Sequence, residues 1–506
     1  MYIDYGYRQK DSFIKKLGKW TWKTSVNLGR DFCLRTTIHG FQHIAQPGRY
    51  WFERLLWFGL TMVAIIGAVG VTRDQWQRYN ENPTVVTLEK NFRTWQYSVP
   101  AITACIENRV DPGKLPLVIK KYWNVSPEDG RYQYYSRFIN VVANSDLLHL
   151  EGYNEFKDDV QLDVDLHQVA VDVMPEVQIK TIVSEDLKAQ NFTWTPVMTE
   201  AGACYVTNSL ANYDVTIGKA DSNVSHSSPI VCHYSSQVCY IMFEIINVTN
   251  FYIHSPYDVM DITTPASKVY LTLSRFTDLS VMESGCGKGV RELSSQRRGC
   301  LYNDEPMNKK TRVYSTNSCR YSCRSQLSIR LCGCRPFYYF YEEGPACSPA
   351  GMSCLAKYSQ QLASIAGVRC VCNPQCLDIV FREIAIKDTI WDQGIFATRG
   401  SGRYTIQAPR SRYTREIVFH FQDLVVSFGG AAGLFLGASF ISLVEIMYFG
   451  LERVFKKVFQ KPEKKTHQVK KPRNSYEATR VLELTKILEE NRGYELNTKI
   501  KFEGGF

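Results

Sequence analysis

Two groups of residues in this sequence have types and spacings that can do chemistry. The first is a run of small residues from Ser427 to Glu445, set in a stretch without charge between Leu424 and Val444. Gly429, Gly433 and Gly437 stand four apart, so they share one face of a helix. A face without side chains admits another helix closely. Together with Gly430 these glycines also weaken the helix, and the pattern predicts a break near Gly437-Ala438-Ser439. Opened carbonyls, with the Ser439 hydroxyl, can replace water around a small cation. Glu445 adds a carboxylate that favours cations over anions. Taken alone, the stretch fits either a packed membrane helix or a pore-lining one.

The second group is the cysteines. Fifteen of the 16 lie between Cys105 and Cys376, and only Cys33 stands apart near the N-terminus. Cys105, Cys204, Cys232 and Cys239 are sparse. From Cys300 they crowd, at Cys319, Cys323, Cys332, Cys334, Cys347, Cys354, Cys370, Cys372 and Cys376. Cys319 and Cys323 suit one helix face. Cys332-Gly-Cys334 and Cys370-Val-Cys372 also suit a metal, but the setting argued below favours disulfides, and no metal site is expected. An odd total leaves one thiol over, and Cys286, in Ser-Gly-Cys-Gly, is the candidate. Enzyme chemistry has no support. There is no Ser-His-Asp signature, no His-Glu-x-x-His and no supported carboxylate pair, while His149, His167, His226 and His233 are scattered. No catalytic residue and no cofactor are expected.

These groups need elements to position them. Leu55 to Thr72 is apolar, is bounded by Glu53-Arg54 and Arg73-Asp74, and has Trp51, Trp57 and Trp76 near its ends, as a membrane span does. Basic residues crowd residues 1–50 and the cluster Lys456 to Arg473. With a net charge of +10 this distribution reads as cytosolic flanks rather than nucleic-acid binding. The first 35 residues lack an apolar signal-peptide core, so the first span is expected to act as a signal anchor. Sequons at Asn124, Asn191, Asn223 and Asn247 all fall between the spans, as the cysteines do, which places that segment outside the cell. The expected organisation is a cytosolic tail over 1–50, a first span over 51–72, an extracellular domain over 73–418, a second span over 419–450 and a cytosolic tail over 451–506. The sparse-cysteine region reads as β-rich, with Val169–Val173 and Val177–Ile182 as alternating runs. Tyr404 to Ile417 reads as a strand entering the second span.

In their order and distances these features resemble the degenerin/epithelial sodium channel family, the amiloride-sensitive sodium channels, and most closely its insect pickpocket branch. The resemblance rests on Thr199-Glu200-Ala201-Gly202-Ala203-Cys204-Tyr205, on His254-Ser255-Pro256 and on the cysteine ladder from Cys319 to Cys376. It also rests on Gly437-Ala438-Ser439 at the filter tract, on His39-Gly40 at the gating motif, and on the residues 293–300 before the ladder. It implies an α+β membrane glycoprotein: a trimeric channel, homomeric or built with related subunits, with two transmembrane helices and a disulfide-rich ectodomain bearing a helical thumb over about 295–385. It implies sodium transport blocked by amiloride, in the plasma membrane with both termini cytosolic, opened by an extracellular ligand or a mechanical or sensory stimulus. A modulatory, non-conducting subunit is the alternative. Carried onto this sequence, the family pairs Cys105 with Cys239 and Cys204 with Cys232. In the thumb it pairs Cys300 with Cys376, Cys319 with Cys372, Cys323 with Cys370, Cys332 with Cys354 and Cys334 with Cys347. Gly437, Ala438 and Ser439 would select ions. Gly429, Gly430, Gly433 and Glu445 would line or pack the pore, and the mutable gate position falls at Val426 or Ser427. Tyr79 stands where the family has a wrist aromatic, with Tyr413 near it. The acid-sensing branch faces that aromatic with a thumb Trp, whereas this sequence has Arg297 and Arg298, a departure from the branch.

Overall fold

The computed structural model describes residues 26–81, 83–185, 188–191, 193–218, 229–236, 238–306, 311–363, 370–390 and 398–459. Asn223, the first 25 residues and the C-terminal tail beyond 459 therefore lie outside the described residues. The chain divides into two units, Met1–Ala68 with Gly429–Phe506, and Val69–Phe428.

The larger unit is a mixed α+β body. Its main sheet runs in the order Thr84–Glu89, Arg412–Ile417, Leu273–Cys286, Gly400–Gln407, Cys239–Ile245, Lys180–Glu185 and Lys188–Asn191, and Asp378–Ile390 also pairs with Leu273–Cys286. Period-two burial explains the inner strands: in Cys239–Ile245, Cys239, Ile241, Phe243 and Ile245 point inward and their neighbours do not. A five-stranded sheet orders Ser267–Val269, Thr249–His254, Ala101–Ile106, Gly202–Thr207 and Thr195–Thr199. Helices cover it. In Tyr132–Asn144 the buried set is Tyr135, Phe138, Ile139, Val142 and Ala143, one stripe of a 3.6-residue period.

Two expectations about local structure are corrected. Val169–Val173 belongs to the helix Leu166–Val173, because Asp165 caps its start by accepting from the His167 and Gln168 N–H groups. Leu166, Val169, Ala170 and Val173 then fall on one buried face, a spacing that a five-residue window cannot show. Tyr404–Ile417 is not one strand but parts of two, Gly400–Gln407 and Arg412–Ile417, parted around Pro409, which lacks the N–H that a ladder needs. Both run parallel to Leu273–Cys286.

Seven disulfides form among the described residues. The five crowded pairs join Cys300 to Cys376, Cys319 to Cys372, Cys323 to Cys370, Cys332 to Cys354 and Cys334 to Cys347, with the same partners that the resemblance implies. The two sparse pairs differ. The bonds are Cys105–Cys204 and Cys232–Cys239, not Cys105–Cys239 and Cys204–Cys232. The sheet register supplies the reason. Ala104 pairs with Tyr205 on adjacent antiparallel strands, so Cys105 and Cys204 come next, opposite each other. Cys239 lies in the other sheet, seven residues from Cys232. Cys33 and Cys286 are free.

The cysteine-rich helix is Thr316–Cys332. Ser315 and Ser318 cap it reciprocally, and Gly333, at φ 74°, ends it in the left-handed region. Two buried polar contacts seat the helix on the sheets. Arg324 Nη1 donates to Glu200 Oε2 at 2.5 Å, and the Tyr339 hydroxyl donates to Glu200 Oε1 at 2.6 Å, so the Thr-Glu-x-Gly motif ends in a buried ion pair. Burial works against charge on Arg324, but Glu200, Tyr339 and Asp261 outweigh it and its pKa rises. The second contact is Asp258, just after the His-Ser-Pro turn. Its Oδ1 accepts from Val259 N at 2.8 Å and from Asn317 N, in the helix's first turn, at 3.1 Å. Burial pushes this carboxyl from 3.8 up to about 7 against those donors. Nearby, His254 Nδ1–H donates to the Ser255 carbonyl at 3.0 Å and its Nε2 accepts from Thr103 at 2.9 Å. Burial lowers its pKa from 6.5 to about 4.

These two groups bias pH stability in opposite directions. A raised carboxyl pKa adds stability that is lost as pH rises toward about 7, and a lowered imidazole pKa adds stability that is lost as pH falls from 6.5 toward about 4. In Asp258→Asn only the histidine effect remains, so melting temperature should drop more steeply than in wild type as pH falls from 6.5 to about 4. Parallel melting curves of the two proteins across that window would contradict this assignment.

Candidate functional site

In the smaller unit the glycine-rich segment is broken where its composition predicts. One helix, Phe421–Leu436, ends before Gly437, and another, Phe440–Phe459, begins after Ser439. Trp51–Glu81 is long and apolar enough to cross a membrane, while Phe421–Leu436 and Phe440–Arg453 meet that test only together and are bent by 78°. The first helix outruns the expected 51–72, since Arg73 and Asp74 end the apolar run but not the helix, which Pro83 stops.

The break has a defined backing. Gly437 takes φ 59°, in the left-handed region that a side chain penalises, and a Cβ there would overlap the His39 ring. His39 N donates to the Leu436 carbonyl at 3.0 Å, satisfying an acceptor that the broken helix leaves behind. Gly437 N and Ala438 N still donate back, to the Gly433 and Ala432 carbonyls at 2.9 and 3.2 Å. Among the described residues, no backbone N–H reaches the carbonyls of Gly437 or Ala438. Gly40, at φ 86°, turns the chain after His39 so closely that a Cβ would stand 2.7 Å from Thr61 Oγ1.

Ser439 restarts the helix. It accepts from Ser442 N at 3.4 Å while Ser439 N donates to Ser442 Oγ at 3.2 Å, a reciprocal cap. The Ser439 hydroxyl, expected to face a cation, is therefore engaged at the cap. Glu445 is also held. Thr37 Oγ1 donates to its Oε2 at 2.7 Å, Thr37 N donates to the same oxygen at 3.2 Å, and Thr37 Oγ1 lies 3.2 Å from Ser442 Oγ. The N-terminal segment packs along the same helix, with Phe32 5.4 Å from Phe449 and Arg453 paired with Asp31. So His39, Gly437, Ser439 and Glu445 come together around Thr37 and Ser442. Sequence reasoning missed both of these. Ser442 was detectable, since Ser439-x-x-Ser442 has capping-box spacing, while Thr37 shows only its nearness to His39-Gly40.

The remaining candidates lie apart from this cluster. A Cβ on Gly429 or Gly430 would meet nothing within 4 Å, and one on Gly433 only the Ala438 carbonyl at 3.8 Å. Close helix contact is made elsewhere, at Gly67, where a Cβ would come within 2.8 Å of the Phe435 ring. Val426 is exposed and Ser427 half-buried on the helix Phe421–Leu436. Asn124 and Asn247 are exposed, as glycan acceptors must be, and Asn191 lies in a strand.

The larger unit holds the Tyr79 contact. The Arg297 guanidinium lies 4.3 Å from the Tyr79 ring centroid, and its Nη2 donates to the Tyr79 carbonyl at 3.0 Å. The contact on the Tyr79 ring is thus a cation–π one. Phe419 flanks Tyr79 at 6.4 Å. Arg298 points the other way. It is buried, pairs with Glu305 and donates to the carbonyls of Leu293 and Cys300 at 2.8 and 2.9 Å, holding the turn that presents Arg297. Tyr413, on Arg412–Ile417, pairs with Leu88 instead.

A broken helix braced by an N-terminal His-Gly segment, in a chain that also carries a disulfide-stapled domain, has the architecture of a channel subunit. Residues 32–449 match the sequence profile of the amiloride-sensitive sodium channels, and the chain belongs to this family, one of ion channels and not of enzymes. It is 20% identical over 488 aligned residues to Pickpocket protein 28 of Drosophila melanogaster, covering 82% of this chain and 76% of that one. Pickpocket protein 11 of the same species is 23% identical, with 83% and 75% covered. Acid-sensing ion channel 4-B of Danio rerio is 24% identical over a shorter match, 36% of this chain and 34% of its own.

Two outcomes follow from the geometry. Gly437→Ala combines left-handed strain of ~1–2 kcal/mol with overlap on His39. Thermal unfolding should show a marked loss, and Gly437→Ala with His39→Ala should recover only the overlap part. A single variant as stable as wild type would contradict the cradle. Arg297→Gln removes a cation–π contact worth about 0.5–2 kcal/mol. Amide exchange should accelerate across Trp76–Glu81 relative to the rest of that helix, and an unchanged pattern would show that Arg297 does not hold Tyr79.

Proposed function

We propose that this chain forms a sodium-selective, amiloride-blocked pathway through the plasma membrane, as a trimer of itself or with related subunits. Each subunit crosses twice, with Trp51–Glu81 and the bent pair Phe421–Leu436 and Phe440–Arg453, and keeps both termini in the cytosol. The observation that carries this reading is the break at Gly437-Ala438-Ser439, backed by His39, with the Gly437 and Ala438 carbonyls free of backbone donors among the described residues. In three copies those carbonyls would ring a narrow path and replace part of a small cation's hydration. The open Gly429/Gly430/Gly433 face would admit the neighbouring helix. Glu445, braced by Thr37, would hold negative charge at the inner end. The gate would lie at Val426 or Ser427. A ligand bound outside the cell, or force, would reach the first span through the Arg297–Tyr79 contact.

Expression in oocytes tests this directly. Wild type and variants enlarged at Val426 or Ser427 are recorded in sodium, potassium and impermeant-cation solutions, with and without amiloride. The expected result is an inward sodium current, larger in one enlarged variant, that amiloride blocks. Surface-expressed protein without sodium current in any variant, alone or with a related subunit, would overturn the reading. Current seen only as a change in a partner's conductance would favour the modulatory alternative.

A further inference from the structure

Outside the proposed pathway, one cluster has chemistry that the channel does not use. The Cys286 thiol and the Cys300–Cys376 disulfide place three sulfur atoms within 4.8 Å of one another. Their arrangement follows from the sheet. Leu273–Cys286 pairs antiparallel with Asp378–Ile390 and reaches Ser284 opposite Asp378. Cys376 lies two residues before Asp378–Ile390, in the bend that leads into it, and Cys286 ends the partner strand. The Cys286 thiol in fact donates to the Cys376 carbonyl, at 3.4 Å.

We propose that Cys286 exchanges with the Cys300–Cys376 disulfide to form Cys286–Cys376 and release Cys300 as the free thiol. The step conserves atoms and electrons. The Cys286 thiol gives up its proton, its thiolate attacks Cys376 Sγ, the Cys300–Cys376 bond breaks, and Cys300 leaves as a thiolate that takes up a proton. One disulfide and one thiol stand on each side, so no oxidant or reductant is consumed. The surroundings suit a departing anion. Arg298 donates to the Cys300 carbonyl at 2.9 Å, and the Arg298 and Arg291 guanidiniums lie 5.0 and 4.9 Å from the Tyr302 ring.

The exchange would alter what holds Arg297. Cys300 closes the turn Ser295–Arg298 through Gly299, at φ 68°. In the observed state the disulfide ties that turn to the start of Asp378–Ile390. In the exchanged state only hydrogen bonds remain across this junction, Leu301 N to the Pro374 carbonyl at 3.0 Å and Cys376 N to the Leu301 carbonyl at 2.9 Å. The side chain resting on Tyr79 would then hang from a looser turn.

The test reads covalent bonds and so stands independently of whether the protein conducts. Full-length protein is held at pH ~7 or ~9, either side of an ordinary thiol's range, quenched in acid, alkylated under denaturation and mapped by non-reducing mass spectrometry. Two species are expected: Cys300–Cys376 with alkylated Cys286, and Cys286–Cys376 with alkylated Cys300, the second increasing with pH and lost in Cys286→Ser. Alkylation confined to Cys33 and Cys286 at both pH values overturns the proposal. In Cys300→Ser, a Cys286–Cys376 bond is expected, and a folded variant with both thiols alkylated also overturns it. Should that variant fail to fold, the wild-type map decides.

Discussion

A helix interrupted along its length must find partners for the backbone groups it releases, and this requirement organises the smaller unit. Its N-terminal segment supplies part of the answer. His39 gives a backbone N–H to Leu436, and its ring occupies the space that a side chain at residue 437 would need. Thr37 gives two donors to Glu445. A stretch far away in sequence thus holds both the opened backbone and the acid beyond it. The break is fixed in place, since Ser439 and Ser442 restart the helix by capping each other.

The larger unit solves a different problem. The helix Thr316–Cys332 buries mainly polar and aromatic residues, among them Tyr321, Arg324, Ser325 and Ser328, which makes a weak apolar face. Disulfides replace what hydrophobic packing does not supply. Cys319, Cys323 and Cys332 leave the helix as three separate staples, and Arg324 and Asn317 add buried polar ties to Glu200 and Asp258. Such contacts fix orientation more than they add stability, because ion pairs out of water recover little beyond their desolvation.

What the sequence revealed depended on whether a feature was local. The break at Gly437 was legible because three glycines in register weaken any helix. The crowded cysteines were legible as a stapled helix because four-residue spacing has one meaning there. The pairing of Cys105 was not, because a single register offset between distant strands decides which cysteines face each other. Val169–Val173 misled for a related reason: so short a run fits both periods, and the Asp165 cap separates them. Arg297 was visible as a departure from the acid-sensing branch, but nothing in the sequence says that a guanidinium will lie flat on Tyr79. Thr37 carried no signal beyond its place beside His39-Gly40, since its importance comes from Glu445 and Ser442.

Among the described residues, the strand Thr84–Glu89, just after the first long helix, pairs only with Arg412–Ile417, just before the next, with Thr84 opposite Ile417 and Glu89 opposite Arg412. These are the first and last strands of the whole body. During synthesis the first must wait, with its ladder edge unpaired, until nearly all the intervening chain has emerged. The fold therefore closes late and over a long loop, the slowest kind of contact to form. Throughout that wait Val85, Val86 and Leu88 sit on an open edge, the kind of segment that aggregates or calls for a chaperone. Yield of this protein is then expected to be limited by how long that edge stays uncovered rather than by the stability of the finished fold.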